Sequence, residues 1–277
     1  MIYYTYPGFR NKALTISYDD GLWSDVHLLE ILNRYGIRGT FNLNSGCMTE
    51  ERRIGKEKIP ALYKGHEIAT HGVKHLTLAR CPMTDVVKEI LEDRQALEEL
   101  TGEIVCGHAY PNGSYSPEIK TLLPSLGIHY ARTATDTGLY THPQDFYEWN
   151  PTCHHNNRLM YHAKEFLSFD LPQFQYLFYV WGHSYEFDRD NNWDVIEEFC
   201  KMIGGREDIW YATNAEVCHY LMAVKQVHTS VDEKLLFNGS GQDISLIRNG
   251  ENILLRPGEL QRIHSPESHG KLRKIVL

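Results

Sequence analysis

The feature that most constrains this chain is an alternation. Short strand-like apolar runs are followed by helical patterns seven times before residue 225, at 13–18, 37–43, 66–71, 104–109, 128–132, 176–181 and 209–212. Strands joined through helices imply right-handed crossovers and a parallel sheet with helices packed against it. The helix punctuation agrees. Leu28, Ile31, Leu32 and Tyr35 form one apolar stripe, with Ser24 as the expected N-cap and Gly36 as the stop. The clearest helix runs from a Thr84 cap through Val87, Ile90, Leu91 and Leu97 to Gly102. Ser116-Pro117 opens the next helix and Gly127 closes it. The connection 133–158, polar and carrying Pro143 and Pro151, reads as a functional or covering loop.

Periodicity does not choose between an open sheet and a closed one. Chemically suggestive residues stand at four different strand ends, however, and that favours barrel-like closure. The expected fold is therefore α/β: a distorted (β/α)7 barrel-like parallel sheet over residues 1–226, with a small β appendage over 227–277. Within the appendage, Asn249-Gly250 is the strongest short hairpin signal. Counting outward from it pairs Arg248 with Glu251, Leu246 with Ile253 and Ile244 with Leu255, a self-consistent register.

Composition removes several classes of function. Asp and Glu (36) outnumber Lys and Arg (28) for a net charge of −8, so neither nucleic acid nor an anionic membrane is an expected partner. The longest apolar run, 176–181, is far short of the ~20 residues of a membrane helix. The N-terminus has no basic and apolar leader pattern, and the six cysteines are scattered without a C-x-x-C pair. Reduced, mostly buried thiols and a cytoplasmic location are the expectation. The oligomeric state stays open.

The chemistry concentrates after the strands. Asp19-Asp20-Gly21 ends the first run with two adjacent carboxylates and no basic neighbour in sequence. A cation would resolve that repulsion, although a solvated Asp-Gly turn fits the residues equally well. His71 and His75 have H-x-x-x-H spacing after the third strand. If the chain turns helically there, the two imidazoles share a face and grip one metal; otherwise they are surface residues of a His-rich chain. With Asp20 the pair becomes a strong signal, because one Asp and two His leave tetrahedral zinc an open position for water. Tyr110-Pro111-Asn112-Gly113 forms a tight turn whose backbone N–H groups suit a developing oxyanion, or an ordinary turn. His183, in Trp181-Gly182-His183-Ser184, suits a general acid or a packed polar residue. His154 and His155 suggest a second metal site, but adjacent side chains chelate one ion poorly, so loop histidines at the cleft rim are favoured. Trp149, Tyr161, Trp181, Tyr185 and Phe187 are read as core before sugar-stacking platforms.

Together these segments resemble the polysaccharide deacetylases, the NodB-homology group of carbohydrate esterase family 4. Ser17-Tyr18-Asp19-Asp20-Gly21 resembles the family's T-F-D-D-G motif and His71-Gly72-Val73-Lys74-His75 its H-[ST]-x-x-H motif. Residues 109–113 are similar to its R-x-P-x-G motif, and His183 to the histidine of its last motif. The resemblance spans about residues 13–225 and implies a distorted barrel of about seven strands. It implies Asp20, His71 and His75 as ligands of a divalent metal (zinc, with cobalt or nickel as substitutes) and Asp19 as general base. Asn112 becomes an oxyanion donor and His183 the general acid. The implied reaction removes an acetyl group from an N- or O-acetylated carbohydrate, with Tyr110, Pro111, Trp149, His154, His155 and Trp181 as substrate-binding candidates.

Three features depart from the family pattern. Ala109 stands where the family has arginine, and Gly72 where it has Ser or Thr. The Asp and Trp that tune the acid histidine have only Asp136 and Trp149 as candidates, with His154 or His155 filling part of that space. The missing arginine supports one alternative, a carbohydrate-binding relative without turnover. A metal-dependent phosphoesterase is the other, although no P-loop or arginine cluster accompanies the motifs.

Overall fold

In the computed structural model, which describes residues 1–263, the alternation becomes a parallel sheet curled into a barrel-like wall. After a short strand β1 (Ile2–Tyr4), the chain enters β2 (Lys12–Asp19), which is buried at all eight positions and lies inside the sheet. There follow α1 (Ser24–Arg34), β3 (Thr40–Leu43), α2 (Ile59–Leu62), β4 (Glu67–Thr70), α3 (Met83–Thr101), β5 (Gly107–Ala109), α4 (Pro117–Leu122) and β6 (Tyr130–Arg132). Next come β7 (Cys153–His154), α5 (Leu159–Ser168), β8 (Tyr176–Gly182), α6 (Tyr185–Asp190), α7 (Trp193–Ile203), β9 (Ile209–Tyr211) and α8 (Asn214–Val224). The wall runs β6-β5-β4-β3-β2-β8-β7.

Seven strands form the wall, but the seventh is not the expected one. The supposed loop 133–158 supplies it: Trp149 bridges Arg132 on β6, while Cys153 and His154 pair with Val180 and Trp181 on β8. This segment therefore ties the two edges of the sheet together. The run at 209–212 is indeed a strand, β9, but it lies off the wall and pairs with Lys12–Leu14 of β2. A two-residue strand is too short to show alternation in sequence, so β7 left no signal.

The helix ends show which local rules held. Ser116 accepts from the Ile119 N–H and caps α4, and Gly102 and Gly127 take left-handed C-terminal positions at φ 71° and 72°. Two expected caps did not form. Trp23 precedes α1, and Ser24 instead donates to Asp188; Pro82 precedes α3, leaving Thr84 inside it. Leu28, Ile31 and Leu32 of α1 are fully buried in a core cluster that also holds Leu14 and Ile16 of β2, Phe178 and Phe199. Burying each such side chain contributes roughly 1.5–3 kcal/mol.

The appendage comprises β10 (Val227–Thr229), β11 (Leu235–Asn238), β12 (Ile244–Arg248), β13 (Glu251–Leu255) and β14 (Leu260–Arg262). Its hairpin has the register counted from Asn249-Gly250. β1 adds to the free edge of β12, so the N-terminal strand completes the appendage sheet. Tyr220 of α8 fastens the two parts, donating to the Thr5 carbonyl and accepting from the Ser245 N–H. The expected appendage residues 264–277 lie outside the described residues. All six cysteines are unbridged, five of them buried. No helix among the described residues is long and apolar enough to cross a membrane.

Candidate active site

The side chains singled out in sequence follow the C-terminal ends of β2, β4, β5, β7 and β8, the end of a parallel barrel where loops converge. Asp19 closes β2 and is buried. Asp20 leaves the strand at φ 82° and Gly21 follows at φ 64°, a turn that separates the neighbouring carboxylates. Arg53 donates to the Asp20 carbonyl and stands 3.5 Å from its Oδ1, supplying the basic neighbour absent from the local sequence.

His71 is fixed from behind. Its Nδ1 donates to the Ala109 carbonyl at 2.8 Å, which leaves a lone pair on Nε2, and Nε2 is buried without a hydrogen-bond partner. Helix α3 anchors the loop. Asp93 accepts from the backbone of Ser45 and His71, and Glu89 accepts from the Lys74 N–H. Gly72, where the family has Ser or Thr, sits at φ 76°, and a Cβ there would come within 2.9 Å of the Glu89 carboxylate. The two histidines do not meet through a helix. His75 adopts φ 57°, which folds its ring back to 4.7 Å from that of His71. One ligand atom each from Asp20, His71 and His75 falls within 4.8 Å of the others.

Asp19 lies between two histidines. Its Oδ2 is 3.8 Å from His71 Nε2 and 3.8 Å from His183 Nε2, and its Oδ1 accepts from the Asn42 amide. The residue that sequence reading missed is Arg132, whose Nη2 donates to Asp19 Oδ2 at 2.5 Å with only 1% of the residue exposed. Parallel pairing places Arg132 on β6 directly beside Ala109 on β5. The guanidinium absent at position 109 thus arrives from the next strand. It also lies 4.5 Å over the Trp181 ring, whose indole N–H donates to Asp136. Burial alone would raise the Asp19 pKa, but Arg132 foremost, with His71, His183 and Asn42, outweighs it and holds it at about 2.

On the other side, His183 Nδ1 is 3.7 Å from Glu186 Oε2, in the first turn of α6. Burial opposes charge on His183, yet Glu186, Asp19 and Asp20 together raise its pKa above the usual 6.5. Glu186, not Asp136, is therefore the carboxylate facing the histidine. His154 and His155 face the same Glu186 oxygen at 3.0 and 3.3 Å. His155 is buried and stacked between Tyr18 and Phe187, and burial together with His154 lowers its pKa to about 3. A Cβ on Gly182 would strike His155 Nδ1 at 2.0 Å, so only glycine fits there.

The turn after β5 packs against this centre, with Pro111 Cγ 3.7 Å from where a Gly72 Cβ would stand. Asn112 is exposed at φ 57°, and its side chain donates to Thr77. Two substrate-binding candidates belong to the core instead. Tyr110 is 1% exposed and donates to the Tyr147 carbonyl, and Trp149 is 1% exposed among Tyr130, Phe146 and Tyr179. A cavity of about 850 Å³ opens beside the Asp20 side, lined by Leu22, Trp23, Arg53, Tyr185 and Arg189 among others.

Residues 7–131 match the polysaccharide deacetylase family, so the resemblance carried by the motifs holds over that span. A candidate polysaccharide deacetylase from Mycobacterium smegmatis superposes with a TM-score of 0.60 at 18% identity, covering 80% of this chain and 93% of its own. The allantoinase PuuE superposes at 0.58 with 17% identity, covering 77% of this chain and 91% of its own. At such identities the likeness concerns the fold, and both share the distorted (β/α)7 wall.

Proposed function

From the polysaccharide deacetylase match over residues 7–131, we propose that this chain is a metal-dependent hydrolase that releases acetate from an N- or O-acetylated carbohydrate. One observation carries the reading: Arg132 fills the charge position left empty by Ala109 and secures Asp19 between two histidines. That removes the main support for a relative that binds sugar without turning it over, since a binding site has no use for a base and an acid on either side of a reaction centre.

The Asp20, His71 and His75 trio fits a divalent ion. His71 Nε2 is a buried lone pair without a partner, and two imidazoles with one carboxylate suit zinc, cobalt or nickel better than magnesium or calcium. Such an ion would polarise the acetyl carbonyl and acidify a water. The rest falls to the chain itself. Asp19, ionised at any working pH and locked by Arg132 and Asn42, takes the proton of the attacking water on Oδ2. His183, whose proton Glu186 and the two aspartates favour against burial, gives it on Nε2 to the departing amine or alkoxide. Asn112, in its left-handed turn, offers backbone to the developing oxyanion. The adjoining cavity has the volume for a saccharide. The test is acetate release from a panel of acetylated sugars, amides and esters, on protein of measured metal content. No acetate from any of them with one equivalent bound would defeat the proposal.

A further inference from the structure

Beyond Asp19, the His154, His155, His183 and Glu186 cluster has more donors than a proton can satisfy. Among the described residues, His155 Nδ1 and Nε2, His183 Nδ1 and Glu186 Oε2 are all buried without a hydrogen-bond partner. They converge on one atom: Glu186 Oε2 is 3.0 Å from His154 Nε2, 3.3 Å from His155 Nε2 and 3.7 Å from His183 Nδ1. A single imidazolium pairs with a carboxylate in one contact. Here three imidazole nitrogens surround the same oxygen, and a cation placed among them would satisfy the unpartnered His183 Nδ1 and Glu186 Oε2 together. Ligand atoms of His154, His183 and Glu186 lie within 4.8 Å of one another. The adjacency that makes His154 and His155 poor partners for one ion is avoided, because His183 and Glu186 arrive from beyond β8.

We propose that His154, His183 and Glu186 form a second divalent-metal site, of the zinc, cobalt and nickel class, with His155 backing the Glu186 carboxylate. Two imidazoles and a carboxylate set that class. His183 is shared between two tasks. Its Nε2 faces Asp19 and its Nδ1 faces the new site. Metal at Nδ1 releases the Nδ1 proton to solvent, so the ring is no longer an imidazolium and Nε2 loses its acidity. The second ion is thus an inhibitor of the proposed reaction, and this consequence, unlike the site itself, rests on that reading.

Zinc titration of the metal-free full-length chain against a chromophoric chelator tests the site without any substrate. The wild type is expected to take two equivalents. Glu186→Gln and His154→Gln should each keep one, and Asp20→Asn should lose the other. The equivalent that each variant retains reports that it has folded. A single wild-type equivalent that Asp20→Asn abolishes, or two equivalents surviving in Glu186→Gln, overturns the proposal. In parallel, acetate release by the wild type should fall to the level of His183→Ala as the second equivalent binds, and His154→Gln should show no such fall from its own one-equivalent rate. Two equivalents without that fall overturn the inhibitory role. Two equivalents with no acetate release at any loading leave the site standing and defeat the hydrolase reading. Acetate release with one equivalent and no second does the reverse.

Discussion

Asp19 divides its surroundings into two unlike halves. On one side stand Asp20, His71 and His75, on loops anchored by backbone hydrogen bonds to Asn44, Glu89 and Asp93. On the other stand His154, His155, His183 and Glu186, from a two-residue strand, a strand end and a six-residue helix. The first half has one buried donor atom left over, His71 Nε2, and the second has four. On the proposed reading the first half, the metal half, is complete but for one ion, whereas the second, the acid half, trades completeness for a histidine that must change its protonation during turnover. Arg132 belongs to neither half and holds the carboxylate both need.

The sharpest way to break this division is to mutate the two adjacent aspartates separately. Asp20→Asn should lose the first metal equivalent, because a neutral amide replaces an anionic ligand. Asp19→Asn should keep the metal while kcat falls ~10²–10⁴-fold, the usual worth of a general base. Zinc titration and acetate-release kinetics read both. The opposite pattern would show that the ligand and the base have been exchanged.

Arg132 comes next. Arg132→Met leaves Asp19 as a buried, unpaired carboxylate, which should cost about 3–5 kcal/mol in urea denaturation of the metal-free protein. In an Asp19→Asn background the same substitution should cost much less, since no charge is then stranded. A coupling near zero in that double-mutant cycle would mean that the arginine serves packing against Trp181 and not the carboxylate.

The two halves also differ in how far the sequence disclosed them. Asp19-Asp20, the H-x-x-x-H pair and the Asn249-Gly250 hairpin are local patterns, and short-range chemistry fixes what they do. Arg132 reaches Asp19 only through the β5–β6 pairing beside Ala109, a relation between strands that no single stretch of chain contains. Its one signal is an arginine ending an otherwise apolar strand. Glu186 is locally legible, three residues after His183 at the start of a helix, yet the family pattern points to Asp136 as the candidate for the missing carboxylate. That residue holds Trp181 instead. The loop 133–158 hid β7 for a related reason: its strand pairings at Trp149, Cys153 and His154 are single residues among polar ones.

The acid half gives a smaller effect that depends on the substrate. His183→Ala should lower kcat by about 10²-fold for an acetamido sugar, whose amine must leave protonated. For an acetyl ester with a good leaving group, the loss should shrink toward none. Equal losses on both substrates would place His183 in binding or positioning rather than in proton donation.

Asp25 gives the smallest effect, and it concerns how the acid half is supported from beneath. This residue of α1 is fully buried, accepting from Ser184 on one oxygen and from Tyr63 on the other, so it steadies the backbone next to His183. Burial raises its pKa to about 7, only partly countered by those two hydrogen bonds. A carboxyl raised in the folded state contributes stability that is complete below the unfolded value near 4 and is lost as pH rises through about 7. Asp25→Asn removes that titration and keeps a polar group for the two hydroxyls. Between pH 4 and 8 the wild type should therefore lose stability relative to the variant, by on the order of 4 kcal/mol. Thermal melts of the two metal-free proteins across that range give the difference directly, with the other carboxylates cancelling between them. A difference independent of pH would mean that Asp25 stays ionised beside Ser184, and the helix would then carry a third negative charge toward the centre that already holds Asp19 and Asp20.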